Sequence, residues 1–210
     1  MPVFLVANPK GGVGKSTIAT NLAGYFAHRG CRTMLGDVDR QQSARTWFAL
    51  RPAHLPRIES WDVDADQVAR TPKGVTHVVL DSPAGLHGHR LKEVLRVADR
   101  VIVPLQPSLF DIYAATAFLA KLADRGALKA NGQVGVLGVR VDARTRAAEQ
   151  LQRFVEGLKL PILGFLRDTQ NYVQLAAHGI PLWDVAPSRV ERDLQQWQPL
   201  LAWAEQPQVR

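Results

Sequence analysis

A short stretch near the N-terminus, Pro9-Lys10-Gly11-Gly12-Val13-Gly14-Lys15-Ser16-Thr17, has the residue types and spacing that hold phosphate. Its glycines let the backbone N–H groups of Gly11, Gly12, Val13, Gly14, Lys15 and Ser16 turn inward as an anion nest. A helix that starts there adds its partial positive charge. Lys15 can reach the β- and γ-phosphates of a nucleotide, the Ser16 hydroxyl can ligate Mg²⁺, and Thr17 completes the nucleotide-binding stretch. The usual spacing is G-x-x-x-x-G-K-[ST]. Here Pro9 stands at the first glycine and Lys10 precedes Gly11, which gives the deviant form K-G-G-x-G-K-[ST]. A glycine-rich surface turn with two solvated lysines is the alternative, and it leaves the flanking strand and helix signals unexplained.

A nucleotide-bound Mg²⁺ needs a second carboxylate. Asp81 follows the β-branched run Val75–Leu80, which is the Walker B arrangement. The next residues, Ser82-Pro83-Ala84-Gly85, form a loop suited to sensing a γ-phosphate. Asp37 and Asp39 stand at the end of a second strand, and their i, i+2 spacing puts both on one face. One of them can position or polarise an attacking water, and Asp39 is also a candidate metal ligand. Alternatively, they cap the helix beginning near Gln42.

Such residues converge only if strands and helices alternate, and the signals do so throughout. Val3–Ala7 is an apolar strand run, and Ser16–Arg29 is helical, with Ile18, Leu22, Phe26 and Arg29 in period. Further strands are expected at Arg32–Val38, Arg57–Val63 (an edge), Val75–Leu80, Val101–Leu105, Val134–Val141 and Ile162–Phe165. Helices are expected at Gln42–Arg51, Leu91–Ala98, Phe110–Leu122, Thr145–Leu158, Asn171–His178 and Ser188–Glu205, the last broken or bent by Pro199. The pattern predicts an α/β fold: one P-loop domain over residues 1–210, a mostly parallel twisted sheet and helices on both faces. Ligands then sit at the C-terminal ends of the strands.

Composition narrows the classes. Apolar residues make up 46% and charged residues 21%, as in ordinary globular proteins. No run approaches the ~18–20 apolar residues of a membrane span. The first strand begins where a signal peptide would lie, so a cytoplasmic protein is expected. Cys31 is the single cysteine, which excludes an internal disulfide and the paired thiolates of an iron–sulfur reductase. The net charge of +7 argues mildly for a polyanionic partner, because it is dispersed. Arg40, Arg45, Arg51 and Arg57 have no acid between them, and Arg140, Arg144, Arg146 and Arg153 lie on or near a predicted helix; either run is also consistent with a solvated face.

Four segments, Lys10–Thr17, Asp37–Ser43, Val79–Pro83 and Val103–Asp111, occur in the order they take in the ParA-type partition ATPases, which this chain resembles. That group has deviant Walker loops and includes MinD. Arg167–Pro181 is similar, more weakly, to the family's late segment. The family usually has Asp-Pro-Gln where this chain has Asp39-Arg40-Gln41, so a cation sits beside Asp39. The resemblance implies ATP and Mg²⁺ as cofactors and a homodimer formed with ATP. It implies that Lys10 crosses to the partner's ATP, that Asp39 acts on the attacking water, and that Pro104–Asp111, with Pro107 and Asp111, contributes to the nucleotide pocket and interface. A cation supplied in trans stabilises transition-state charge as an arginine finger does.

It further implies a short form without an N-terminal helix-turn-helix. Such a form binds double-stranded DNA of the nucleoid non-specifically and moves a plasmid, chromosomal locus or protein cargo. A ParB-like or cargo-adaptor protein would stimulate its hydrolysis. Charge and late position nominate Arg140, Arg144, Arg146, Arg153, Arg167 and Arg189 as DNA contacts. Two alternatives stand beside this one. A MinD-like membrane-associated ATPase needs a basic amphipathic tail; Leu194–Arg210 has Leu194, Trp197, Leu201 and Trp203 but Arg210 as its single cation. An ATP-dependent metabolic synthetase on the same fold would need a small-molecule pocket.

Overall fold

Both faces of the strands are apolar, and both are covered. In the computed structural model, which describes residues 1–38, 43–62, 73–124 and 134–207, the order is β1 (Val3–Val6), α1 (Lys15–His28), β2 (Thr33–Asp37), α2 (Ser43–Leu50), β3 (Ile58–Asp62), β4 (His77–Asp81), α3 (Gly88–Val97) and β5 (Arg100–Leu105). Then come α4 (Leu109–Asp124), β6 (Val134–Gly138), α5 (Arg146–Gly157), β7 (Ile162–Phe165), α6 (Gln170–Ala176), a 3-10 turn at Leu182–Asp184 and α7 (Pro187–Ala204). The strands form a 7-stranded sheet in the order β3-β2-β4-β1-β5-β6-β7. Each described pairing is parallel.

Strand alternation sends successive side chains to opposite faces. Val3 and Leu5 pack on one side with Leu91 and Val94 of α3, Phe118 and Leu122 of α4, and Leu151 of α5. Phe4 and Val6 pack on the other with Ile18, Leu22 and Phe26 of α1, Trp47 of α2, and Trp197 and Leu200 of α7. Each such side chain, fully buried, contributes about 1.5–3 kcal/mol. The apolar residues of α7 are therefore core: Trp197, Leu200, Leu201 and Trp203 are all buried. Arg100, itself buried at the start of β5, donates to the carbonyls of Trp203 and Gln206 and holds the end of α7 under the sheet. Among the described residues no helix is long and apolar enough to cross a membrane.

The helix expected to be broken or bent by Pro199 is not broken there. Pro199 lies within helical backbone, and the non-helical residue is Val190 (φ −132°, ψ 16°). Pro199 is solvent-exposed, where water can take the carbonyl it frees, and Val190 is buried in the core.

Candidate nucleotide-binding site

The phosphate loop leaves the central strand at its C-terminal end. Gly12 and Gly14 take φ of 74° and 80°, a region that side chains rarely enter, and this turns the loop into α1. Open space lies where a Cβ would stand on either glycine, so a bound group has room. Three outside groups hold the loop. Asn8, buried, donates from Nδ2 to the Pro104 carbonyl (2.7 Å) and accepts the Lys10 N–H on Oδ1 (2.8 Å). Gln106 Nε2 donates to the Gly12 carbonyl (3.1 Å). The Gly85 N–H donates to the Pro9 carbonyl (2.8 Å) and ties the loop after β4 to the phosphate loop.

Lys15 is buried and donates from Nζ to the Lys10 carbonyl at 2.7 Å. Ser16 and Thr17 are half-buried in the first turn of α1. Asp81 ends β4, buried, in register with Val6 of β1 on one side and Asp37 of β2 on the other. Asp81 thus ends the strand that pairs with β1, and Lys15 and Ser16 open the helix that follows β1 and the glycine loop. The Ser82 hydroxyl beside Asp81 is buried with no hydrogen-bond partner among the described residues, which fits a polar group arriving there.

Asp37 takes the capping role: its Oδ2 accepts the Ala44 N–H of α2 at 2.9 Å. Asp39 and Arg40 lie outside the described residues. Asp111, 101 residues from Lys10 in sequence, meets it: Lys10 Nζ is 2.8 Å from Asp111 Oδ2. Asp111 is buried and its Oδ1 has no partner among the described residues, whereas Lys10 is about a third exposed. Pro107 is half-buried, and it is its neighbour Gln106 that bonds the loop. Gln106 lies in the Pro104–Asp111 segment expected at the pocket, but was not singled out within it, and Asn8 escaped sequence reasoning. For Asn8 there was a signal, a polar residue set between an apolar strand and the loop.

Beside the phosphate loop opens a cavity of about 280 Å³. Val13, Gly14 and Thr17 form its near wall; Arg140, Arg167, Thr169, Tyr172 and Val173 form much of the rest. Thr169 caps α6 through the Asn171 N–H. Burial holds the Tyr172 hydroxyl well above its usual pKa, so it stays neutral.

The nominated arginines do not form one patch of free charge. Arg144 forks onto Asp142 (3.0 Å twice), and this holds the Asp142 carboxyl down to about 2. Arg153 pairs with Glu149 one helical turn away (2.6 Å), and Arg167 with Asp193 (2.6 Å). Arg140, Arg146 and Arg189 are exposed and have no ion pair among the described residues. Arg140 has a left-handed backbone (φ 54°) at the cavity rim.

The sequence pattern of the CobQ/CobB/MinD/ParA nucleotide binding domain matches residues 4–182. Maintenance of carboxysome distribution protein A of Gloeobacter kilaueensis is 31% identical over 191 residues, which cover 86% of this chain and 83% of that protein. The chromosome-partitioning ATPase Soj of Thermus thermophilus is 32% identical over 183 residues, 70% of this chain and 72% of Soj. Among solved structures, the cell division protein MinD of Aquifex aeolicus has a TM-score of 0.75 at 18% identity over 100% of both chains. The ATP complex of a Cyanothece McdA variant has a TM-score of 0.71 at 15% identity, covering 100% of this chain and 99% of that one. These two likenesses concern the fold, and they match the parallel sheet described above.

Proposed function

We propose that this chain, which belongs to the CobQ/CobB/MinD/ParA nucleotide-binding family, is an ATPase that dimerises with ATP, binds DNA without sequence preference and positions a cargo. The observation that carries the reading is a glycine loop that ends in Lys15 and Ser16, leaves the strand paired with the one Asp81 ends, and forms one wall of a cavity of about 280 Å³. The names of the relatives, a carboxysome distribution protein and a chromosome-partitioning ATPase, favour positioning over synthesis.

Each residue has a task in this reading. Backbone N–H groups of the loop hold the phosphates, and Lys15 neutralises charge across the β/γ bridge. Ser16 and Asp81 hold Mg²⁺, which supplies Lewis-acid stabilisation of the phosphates when bound. Asp39 orients the attacking water. Lys10 leaves Asp111 and reaches the nucleotide of a second copy, so hydrolysis requires the dimer. The exposed arginines Arg140, Arg146 and Arg189 are the best placed of the six to meet DNA phosphates, since the other three are already paired. Dimerisation doubles the contacts, and affinity climbs steeply with their number. The protein then resides on the nucleoid, and an adaptor stimulates its hydrolysis. A membrane-bound mode is disfavoured because the apolar side chains of α7 are in the core.

The test is a fluorescence titration of random duplex DNA with wild type and Asp39→Ala, each with ATP and with ADP. Retention is expected with ATP and little with ADP, and it should be strongest for Asp39→Ala, which cannot turn over. Equal retention with both nucleotides, or none with either, defeats the positioning reading and favours a synthetase.

A further inference from the structure

We propose that Asp193 of α7 is a positioning residue for the nucleoside end of the site: from outside the cavity it holds the chain that forms the cavity's far wall. The inference rests on the nucleotide reading above.

That wall is the segment from Arg167 to Val173, which crosses from β7 into the seven-residue helix α6. Its first part has no strand or helix hydrogen bonding to fix it, so a single geometry needs an outside brace. One stripe of α7, at positions 193, 196 and 197, supplies it, because i, i+3 and i+4 share a helix face. Asp193, with no solvent exposure, accepts Arg167 Nε at 2.6 Å and Nη2 at 3.2 Å as a fork, and Asn171 Nδ2 at 2.6 Å. Gln196 Oε1 accepts the Arg167 backbone N–H at 2.9 Å. The Trp197 indole N–H donates to the Tyr172 hydroxyl at 3.0 Å.

A buried carboxylate is tolerated only when charged or strong donors satisfy it. Here those donors all come from residues 167 and 171, so what the carboxylate fixes is this segment and nothing else among the described residues. Arg167 is held by side chain and backbone together. Asp193 itself does not line the cavity; Arg167 and Tyr172 do. The near wall belongs to the phosphate loop, and its own ties run to Pro104, Gln106 and Gly85. The two walls therefore have separate supports. Loosening the α7 brace should degrade recognition of the base and leave the phosphate cradle intact.

Calorimetric titration of the full chain with Mg-ATP, Mg-GTP and inorganic tripolyphosphate separates the two. Asp193→Asn should weaken ATP about 10- to 100-fold, the worth of a charge-assisted hydrogen bond. It should shrink the preference for ATP over GTP and leave tripolyphosphate affinity at the wild-type value. A role confined to fold stability would lower Tm without moving the ratio of ATP to tripolyphosphate affinity. An unchanged ratio, whether neither ligand or both are weakened, overturns the proposal. If Asp193→Asn does not fold, Gln196→Ala removes one strut and buries no orphan charge; it must show the same ratio change at smaller size, and an unchanged ratio there overturns the proposal as well. The parent reading fails by a different signal: Lys15→Ala would bind both triphosphates as wild type does.

Discussion

The phosphate loop and the arginine-bearing region after β6 both carry cations, and the fold treats them in opposite ways. At the loop, groups from far away in the chain converge on a cradle. Asn8 reaches Pro104, Gln106 reaches Gly12, and Asp111 meets Lys10. After β6, Arg144 and Arg153 close on carboxylates two and four residues away, and Arg167 on Asp193. A guanidinium forked on a carboxylate has its best geometry already satisfied. A count of cations is thus a poor guide to charge available for a ligand. Among these arginines, what decides is whether a carboxylate stands within reach of each one.

The largest expected effect lies at the loop. Lys15→Ala should abolish tight ATP binding by calorimetry, because it removes the cation over the β- and γ-phosphates. Binding at wild-type strength would show that this cradle is no different from the decorative glycine turn it was weighed against. Lys10→Ala should come next: nucleotide binding largely kept, ATP-dependent dimers and hydrolysis lost. Sedimentation velocity with ATP reads this, and normal dimers in the variant would remove the role in trans. Asp111→Asn, by contrast, should ease dimerisation, since it removes the charge that holds Lys10 in place.

Smaller effects should divide the arginines. Arg140→Ala, Arg146→Ala and Arg189→Ala should each flatten the salt dependence of DNA retention by about one phosphate contact, a slope change of roughly 0.9. Arg144→Ala and Arg153→Ala should change it less. Equal effects from paired and unpaired arginines would erase the distinction drawn above. The smallest effect concerns Asp142. Its carboxyl is held down to about 2 by Arg144, so its contribution is present above the ordinary carboxylate range and lost as pH falls through about 2. Acidification from about pH 4 to pH 2 should lower Tm slightly more in wild type than in Asp142→Asn. The difference should be small because the pair is exposed and screened by water.

Much of this was legible before any coordinates. The strand runs, the glycine loop and α1 fall where expected, because apolar alternation and glycine placement act over a few residues. The brackets around them drifted: the run Val75–Leu80 yields a strand at His77–Asp81, so Asp81 belongs to the strand rather than following it. Asp37 was readable as either a catalytic or a capping group, and the Ala44 N–H chose the cap. Asp193 carried no signal at all. In sequence it is an ordinary charged residue on an amphipathic helix, and its burial follows from α7 packing on β7 and the loop beyond it.

Residue order alone was enough to make this a parallel α/β chain with an anion nest on its first turn, since backbone dihedrals and face alternation are local quantities. It could not say which side chains would face each other across that nest. Strand order set those meetings: β1 lies between β4 and β5, so the loops that follow all three strands share one edge. Gly85, in the loop after β4, and Gln106 and Asp111, around the start of α4, then reach the phosphate loop from either side, although they are far from it in sequence. The apolar runs of β4 and β5 state that each will be buried, not which neighbour each will take. That choice is made by the packing of all the helices at once.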